Sequence, residues 1–302
     1  MKIPITQSKA WQTLQHDLGE RSFFEKTADY QYLAIKKHTV AGDYLYLPYG
    51  PVAETVSAMK QAINALTKLA REEGCIFIRI EPQLPHPEKY LPKSAKKTKD
   101  LSPQETWLLD LKGTDDELKQ KLPSRLLRYY RNREKQGITI ETSKNPDDIK
   151  HLVKLQHDLA CEKHINTFSE HYLQTELRQP FATLYLVKQN QEILAAGLVF
   201  DHENTRYNLQ GAQSEQGRRL HATGILTIQL ILDAKAEGQQ IFDFWGIAPE
   251  NAPEDHPWKG FTAFKKTFLG YEKDYAGTYD IILNSLKYHL YTKLRNLKRR
   301  LK

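Results

Sequence analysis

The stretch IQLILDAKAEGQQIFDFWGIAP (Ile228–Pro249) has the same order of features as an earlier one, INALTKLAREEGCIFIRIEP (Ile63–Pro82). Each begins with apolar residues at helical spacing, which predicts an amphipathic helix. A glycine then ends the helix, Gly74 in the earlier stretch and Gly238 in the later one. A strand that opens on Ile-Phe follows and leads to a proline. One α/β unit used twice explains both stretches; the alternative is a chance similarity between two helix–strand pairs.

Neighbouring segments extend this alternation of helices and strands. YQYLAIKK (Tyr30–Lys37) and DYLYLP (Asp43–Pro48) have the composition of strands, and Val52–Glu73 carries an apolar stripe at helical spacing. The later segments TLYLVKQ, EILAAGLVF and TRYNLQGA predict a meander of strands before a helix at Ala222–Glu237. A long helix over Asp115–Gln136 is expected to carry the chain between the two units. The pattern predicts an α/β (α+β) protein with mixed sheets flanked by helices.

Length and composition agree with two globular domains. At about 150 residues per domain, the 302 residues suffice for two. Hydrophobic residues make up 40% of the chain and charged residues 27%, as in soluble globular proteins. No apolar run reaches the ~20 residues that span a bilayer. The N-terminal segment lacks the apolar core of a signal peptide, so we expect a cytoplasmic protein.

The cysteines and histidines do not form a recognisable metal or disulfide pattern. Cys75 and Cys161 are the only cysteines and lie in apolar or helical surroundings, which predicts thiols without a disulfide. No Cys/His cluster has the spacing of a zinc site. Four histidines lack acidic partners at ligand spacing, and we expect no metal: they are His157, His164, His171 and His256.

Positive charge is concentrated in three segments. The formal net charge is +7 and the pI about 9.1, which favours a polyanionic partner. The segments are Lys93–Lys99, Arg125–Lys135 and the tail Ser285–Lys302. They are either ordinary solvated faces and a docked terminal helix, or binding surfaces for RNA or an anionic membrane. In the tail, one helical stripe consists of leucines, with Lys or Arg elsewhere: Leu286, Leu290, Leu294, Leu297 and Leu301.

Six stretches resemble the FemABX family, the aminoacyl-tRNA-dependent transferases that build peptidoglycan cross-bridges. They occur in the family's order along most of the chain, and the last two are the most specific. The stretches are LYLPYGPV (Leu45–Val52), FIRIEP (Phe77–Pro82), TWLLDL with the Arg-rich helix after it (Thr106–Arg133), SEQGRRLHA (Ser214–Ala222), IFDFWGIAP (Ile241–Pro249) and HPWKGFTAFKKTFLGY…YAGTYD (His256–Asp280).

The resemblance implies a fold and a domain division. The family consists of two tandem GNAT-like domains, which agrees with the duplicated α/β unit. The first domain is expected at 1–140, joined by the C-terminal segment 281–302, and the second at 141–280. No long heptad segment interrupts the second domain, so the chain resembles the short branch of the family that lacks the coiled-coil arm.

The resemblance also implies a reaction in which an amine of the muropeptide stem attacks the aminoacyl ester of a charged tRNA. The precursor is lipid-linked or nucleotide-linked, aminoacyl-tRNA is the co-substrate, and no cofactor is expected. Lys265 falls on the family's functional lysine and Phe264 on the aromatic residue before it. A fixed ammonium would stabilise the oxyanion of the tetrahedral intermediate. The alternative for Lys265 is a surface lysine, although Phe261 and Phe268 extend an apolar stripe beside it.

Three further residues match the family's substrate contacts: Arg218, Tyr172 and Gln15. Trp245 is a candidate stacking surface for the substrate, although its position in a strand favours packing. No general base is evident, and Asp110 and Asp243 are candidates on strand positions alone. The sequence departs from the family at three places, which weakens a nucleotide-linked acceptor in particular: Phe168 stands for a basic residue, Tyr49 for an arginine and Thr223–Gly224 for Pro-Tyr.

Two other functions compete with the transferase. Arg219–Gly224 loosely fits the pyrophosphate loop of acyl-CoA-dependent GNAT enzymes, with Ala222 in place of the first glycine. This pattern favours an N-acyltransferase that uses acyl-CoA. The basic tail alone favours a non-catalytic protein that binds RNA or a membrane.

Overall fold

The computed structural model describes residues 2–163, 167–254, 256 and 258–300. The chain forms two compact units. The first unit consists of Met1–Gln104 and Asp274–Lys302, and the second unit consists of Glu105–Lys273.

Helices and strands alternate in both units, as the sequence predicts. The helices are α1 (Lys9–Asp17), α2 (Val56–Glu72), α3 (Asp115–Lys121), α4 (Ser124–Asn132), α5 (Ile149–Lys163), α6 (Glu170–Leu177), α7 (Glu215–Arg219), α8 (Ala222–Ala236), α9 (Lys259–Lys266) and α10 (Ser285–Arg300). The strands are β1 (Ser22–Lys26), β2 (Tyr30–Lys37), β3 (Tyr44–Leu47), β4 (Val52–Ala53), β5 (Phe77–Ile80), β6 (Lys96–Lys97), β7 (Glu105–Asp110), β8 (Ile138–Ser143), β9 (Ala182–Gln189), β10 (Glu192–His202), β11 (Thr205–Gln213), β12 (Ile241–Gly246), β13 (Tyr271–Asp274) and β14 (Tyr279–Ile282).

The first unit is built on a mixed seven-stranded sheet. Its strand order is β1-β2-β3-β5-β14-β6, and β4 pairs with β2. Strands β3 and β5 are parallel, with Tyr44 opposite Phe77 and Leu47 opposite Ile80, and α2 makes the crossover between them. The buried side of α2 and one face of the sheet form a single apolar core.

The second unit repeats this arrangement on another mixed seven-stranded sheet, in the order β13-β7-β12-β11-β10-β9-β8. Strands β11 and β12 are parallel and α8 makes the crossover between them. Strands β9, β10 and β11 form the predicted meander, and β8 pairs with β9 as an additional strand before it. The turns of the meander lie at Asn190 and Glu203, both of which have positive φ. Since each unit is a mixed sheet flanked by helices, the predicted fold class is confirmed.

Two predicted helices differ from those in the structure. Instead of starting at Val52, α2 starts at Val56, because Val52 and Ala53 pair with β2 and the Thr55 hydroxyl caps the helix. The single helix predicted over Asp115–Gln136 is two helices, α3 and α4. Leu122 has extended backbone, as expected for a residue before Pro123, and the helix therefore breaks there.

The division between the units also lies elsewhere than at 140/141 and 280/281. Strand β7 pairs with β12, with Leu109 opposite Phe242, so the second unit begins at Glu105. Helices α3 and α4 consequently belong to the second unit rather than linking the two. The chain returns to the first unit at Asp274, and this unit includes the C-terminal segment.

Candidate functional site

The site is built around an irregularity in β12. Asp243 lies opposite Leu108 of β7, but the next pair is Gly246 with Thr106, so the register shifts between them. Trp245, inside this bulge, has φ of 65°, an uncommon conformation for a residue other than glycine. Such bulges redirect the chain at the end of a strand, and here the carbonyl of Gly246 becomes available to a side chain from α9.

A buried carboxylate holds the bulge in place. Asp243 is 4% exposed and accepts hydrogen bonds from the Thr106 hydroxyl and from the backbone N–H of Trp245. Both hydrogen bonds go to Oδ1, so this oxygen has a structural role in the bulge, and a role of Asp243 as a base stays a prediction. Thr106 opens the TWLLDL stretch that resembles the family, but the sequence does not indicate its hydrogen bond to Asp243.

Lys265 lies at the mouth of this bulge. Its Nζ donates to the carbonyl oxygen of Gly246 at 2.6 Å, while Thr262, one turn earlier, accepts from the backbone N–H of Ala248. Burial lowers the pKa of Lys265 to about 8, and the nearby carboxylate of Asp243 raises it in opposition. Lys265 is therefore a half-buried lysine fixed by the strand end, unlike an ordinary surface lysine.

The neighbouring side chains of α9 have different surroundings. Lys266 is exposed, pairs with Glu272 at 3.0 Å and lies over the ring of Trp107. Phe264 is half-buried and packs edge-on against Phe268, which is fully buried in the core of the second unit. The contacts of Phe264 are those of a packing residue, and its catalytic role stays a prediction.

The predicted apolar stripe through α9 is shorter than expected. Phe261 is 40% exposed, whereas the sequence placed it on the buried face. Helix α9 ends at Lys266, so the buried Phe268 lies beyond the helix and the helical spacing does not extend to it.

Arg218 lies in the short helix α7. It is an exposed residue of α7, which begins at the capping hydroxyl of Ser214. Gly217 lets α7 approach β10 closely, since a Cβ at this position would lie 2.1 Å from the carbonyl oxygen of Leu194. The substrate contact predicted for Arg218 stays a prediction.

The start of α8 is not the open phosphate cradle that the Arg219–Gly224 pattern suggests. Gln213 accepts from the backbone N–H of Thr223 at 3.3 Å. A Cβ on Gly224 would lie 2.6 Å from Leu126 of α4, so α4 packs directly on the first turn of α8. These contacts occupy the space in which a pyrophosphate would have to approach the backbone amides.

Beside this joint lies a cationic surface that we call the arginine surface: Arg125, Arg128, Tyr129 and His221. The rings of Tyr129 and His221 stack at 4.1 Å with an angle of 11°. Arg125 donates to the Tyr129 hydroxyl at 2.9 Å, and both guanidinium groups lie 5.6 Å from the tyrosine ring centroid. In the described part of the chain, neither arginine forms an ion pair with a carboxylate. Sequence reasoning found the basic segment but not His221.

Tyr172 belongs to another part of the second unit. Its ring stacks on Phe168 at 4.7 Å, so the residue that departs from the family's basic position makes an aromatic contact instead. Burial, and then the carboxyl of Glu176, raise the pKa of Tyr172. Glu176 is 1% exposed, and burial raises its own pKa to about 8. No motif in the sequence marks Glu176.

The remaining predicted contacts are distributed over both units. Trp245 is half-buried and meets Tyr207 edge-on at 6.2 Å, which is a packing contact. Gln15 is a buried residue of α1 in the first unit, 5% exposed. Tyr49, also in the first unit, donates its hydroxyl to the carbonyl of Pro103. The structure therefore places Lys265 against the Trp245 bulge. The other predicted contacts lie on separate helices: Arg218 on α7, Tyr172 on α6 and Gln15 on α1.

Among the described residues, no group of three or more His, Cys, Asp or Glu side chains could hold a metal ion. His164 and the side chain of Cys161 lie outside the described part of the chain, and Cys75 is buried. No described helix is both long enough and apolar enough to cross a bilayer.

Comparison with known proteins shows which proteins the chain is similar to. The model of the FemAB family matches residues 162–296, which include the Trp245 bulge and Lys265. No curated protein matches the chain. The crystal structure of FemX matches with a TM-score of 0.80 at 17% identity, over 95% of this chain and 94% of that one.

Two other structures share the fold. L-PGS from Bacillus licheniformis matches with a TM-score of 0.62 at 15% identity, over 100% of each chain. A tandem GNAT protein from the clavulanic acid biosynthesis pathway matches with a TM-score of 0.53 at 11% identity, over 85% of this chain and 81% of that one. At such identities a structural likeness shows the fold alone. The FemAB match over 162–296 and the FemX fold over nearly the whole length confirm the resemblance that the sequence shows, so the chain is similar to the FemABX family.

Proposed function

We propose that the chain is an aminoacyltransferase that moves an amino acid from aminoacyl-tRNA onto the stem-peptide amine of a peptidoglycan precursor, for cross-bridge formation. The observation that carries the proposal is the half-buried ammonium of Lys265, held 2.6 Å from the Gly246 carbonyl within the segment that matches the FemAB family. With tRNA as the donor, the reaction takes place in the cytoplasm. The precursor is lipid-linked or nucleotide-linked.

The reaction assigns Lys265 an electrostatic role. The stem-peptide amine attacks the ester carbonyl, a C–N bond forms, and the carbonyl oxygen gains negative charge. The bond to the tRNA ribose oxygen then breaks, and the proton of the attacking amine ends on that leaving hydroxyl. The ammonium of Lys265 stabilises the oxyanion in surroundings shielded from water, where such a donor is strongest. This route needs no protein base, which agrees with the structural role of the Asp243 Oδ1.

The arginine surface supports tRNA as the donor. A polyanion is attracted by cations that carboxylates leave unneutralised, and single-stranded nucleic acid also uses aromatic rings. Arg125 and Arg128 beside the Tyr129–His221 stack supply both features. The packed start of α8 weighs against the acyl-CoA alternative, since Leu126 and Gln213 occupy it.

The donor is identified directly by a transfer assay. Purified protein, a muropeptide acceptor and a mixture of charged tRNAs should give a product whose mass exceeds the acceptor by one or more amino acid residues. Mass spectrometry of that product also identifies the amino acid. Product formed from acyl-CoA without tRNA would instead support the N-acyltransferase, and RNA binding without any transfer would support a non-catalytic role.

Reversing the charge of the arginine surface should weaken donor binding. In Arg125→Glu/Arg128→Glu we expect the KM for charged tRNA to rise about tenfold or more, and the dependence of KM on salt to become shallower, because phosphate contacts are lost. The kcat should stay within about twofold, since neither residue lies at the Lys265 bulge. Steady-state kinetics at several salt concentrations measures both quantities.

The matched control for this test is Lys60→Glu/Arg71→Glu. It changes the net charge by the same amount on two exposed residues of α2. Equal rises of KM in both double variants would mean that net charge, and not the arginine surface, attracts the tRNA.

A further inference from the structure

Helix α10 of the first unit leaves an apolar face uncovered. It packs through its tyrosines: Tyr288 is 8% exposed and lies edge-on to Phe77 at 5.3 Å, and Tyr291 lies 4.9 Å from the same ring. Leu294 joins the same cluster. The other leucines form an exposed set that we call the leucine stripe: Leu286 (87% exposed), Leu290 (48%) and Leu297 (55%).

The leucine stripe forms a single line along the helix. At about 100° per residue its three leucines fall within an arc of roughly 40°, well away from the buried tyrosine face. The 16 residues of α10 make a rod of about 24 Å. Contiguous exposed apolar side chains of this kind mark a surface that another body covers. Leu301, which extends the stripe in the sequence, lies outside the described residues.

The charges of α10 indicate what covers the stripe. Its sequence, SLKYHLYTKLRNLKRR, contains six Lys or Arg residues and no Asp or Glu. Lys287 and Lys293 are exposed, and Lys293 falls beside the leucines on the helical projection. A second copy of the chain seated on this face would bring like charges together, and RNA would leave the leucines unused. A surface that combines acyl chains with negative headgroups satisfies both the leucines and the lysines.

We propose that α10 binds the surface of an anionic lipid bilayer, lying in the interface with its leucine stripe inserted among the headgroups and its lysines against phosphates. The tyrosine face anchors the helix to the first unit, so the whole protein would be held at the membrane without a spanning segment. The proposal rests on α10 alone and does not depend on the transferase reaction.

Vesicle binding of the full-length protein tests the proposal. We expect co-flotation with vesicles of phosphatidylglycerol and phosphatidylcholine. Partition onto vesicles of pure phosphatidylcholine should be weaker by at least about tenfold. Leu286→Gln/Leu290→Gln should lower partition onto the anionic vesicles at least about tenfold, because interfacial binding scales with the apolar area buried. Lys287→Glu/Lys293→Glu should lower it similarly and reduce its sensitivity to salt.

The control is Val40→Gln/Leu101→Gln. These two residues of the first unit are 87% and 50% exposed, which matches Leu286 and Leu290 closely. Partition of the control should stay within twofold of the unaltered protein, and thermal denaturation should show all variants folded.

Several results would overturn the proposal. These are absence of vesicle binding by the unaltered protein, equal loss in the control, or retained binding after the leucine substitutions. Light scattering that shows a dimer dissolved by Leu286→Gln/Leu290→Gln would assign the stripe to a second copy. Loss of tRNA affinity with no change on vesicles would assign the helix to RNA.

Discussion

Lys265→Met should lower the rate of transfer by about 10²–10³-fold or more, the usual effect of removing one oxyanion donor. Methionine keeps the length and apolar body of the side chain but loses the ammonium that contacts the Gly246 carbonyl. Because the wild-type lysine is half-buried and its desolvation is unfavourable, the substitution should not destabilise the second unit. Initial rates with charged tRNA and muropeptide, together with a thermal melt, measure the two effects.

Lys266→Met is the matched control. This neighbour carries the same charge but is exposed and pairs with Glu272, so its loss should leave the rate within about twofold. A Lys265→Met protein with nearly normal turnover, or a Lys266→Met protein equally inactive, would refute the role given to Lys265.

The pH dependence of the rate distinguishes an ammonium donor from a general base. The acceptor amine must lose a proton before it attacks, so the rate should at first rise with pH. Burial sets the pKa of Lys265 to about 8, and above that pH the loss of its proton should cancel the rise and produce a plateau. In Lys265→Arg any remaining activity should continue to rise, because a guanidinium stays protonated. A log rate that rises with a slope near two below pH 8 and continues to rise above it in the unaltered protein would assign Lys265 to proton abstraction instead.

Asp280→Ala should reduce the free energy of unfolding by about 3–5 kcal/mol, as expected when one partner of a buried ion pair is removed. Arg79 is 1% exposed, and its Nε and Nη2 donate to the two oxygens of Asp280 at 2.7 and 2.8 Å. Tyr288 also donates its hydroxyl to Asp280 at 2.8 Å. The substitution therefore leaves both a cation and a hydroxyl without their partner.

The surroundings of Arg79 keep its guanidinium from reaching water in the Asp280→Ala variant. Its guanidinium lies among the rings of Tyr44, Phe77 and Tyr291, at 5.5, 5.2 and 5.8 Å from their centroids. Urea denaturation measures the change in stability. Since α10 is attached through this cluster, the same variant should also loosen that helix.

Glu72→Ala gives the comparison for an exposed pair. Glu72 lies 4.0 Å from Lys68 on the surface of α2, and such pairs contribute about 0–1 kcal/mol. A loss of stability in Asp280→Ala as small as in Glu72→Ala would mean that the Arg79 cluster tolerates an unpaired charge.

The sequence was sufficient for those features that depend on near neighbours. The apolar spacing before Gly74 and Gly238 located both crossover helices, and the turn at Asn190 separated two strands of the meander. These signals act within a few residues, through helix periodicity and left-handed backbone. The motifs of the family also lie within short stretches, so the resemblance was visible without any coordinates.

Other features depend on residues that the fold brings together from afar. Arg79 meets Asp280 across 201 positions, and Thr106 meets Asp243 across 137, so neither pair has a local signal. The same holds for the domain boundary, which follows from the pairing of β7 with β12. In α10 the periodicity marked the leucines, but the tyrosines were buried because Phe77 and Asp280 offered them a stacking partner and a hydrogen-bond acceptor. Contacts with distant residues therefore decide which face of a helix or strand is buried. Interactions between near neighbours in the chain decide whether the helix or strand forms at all.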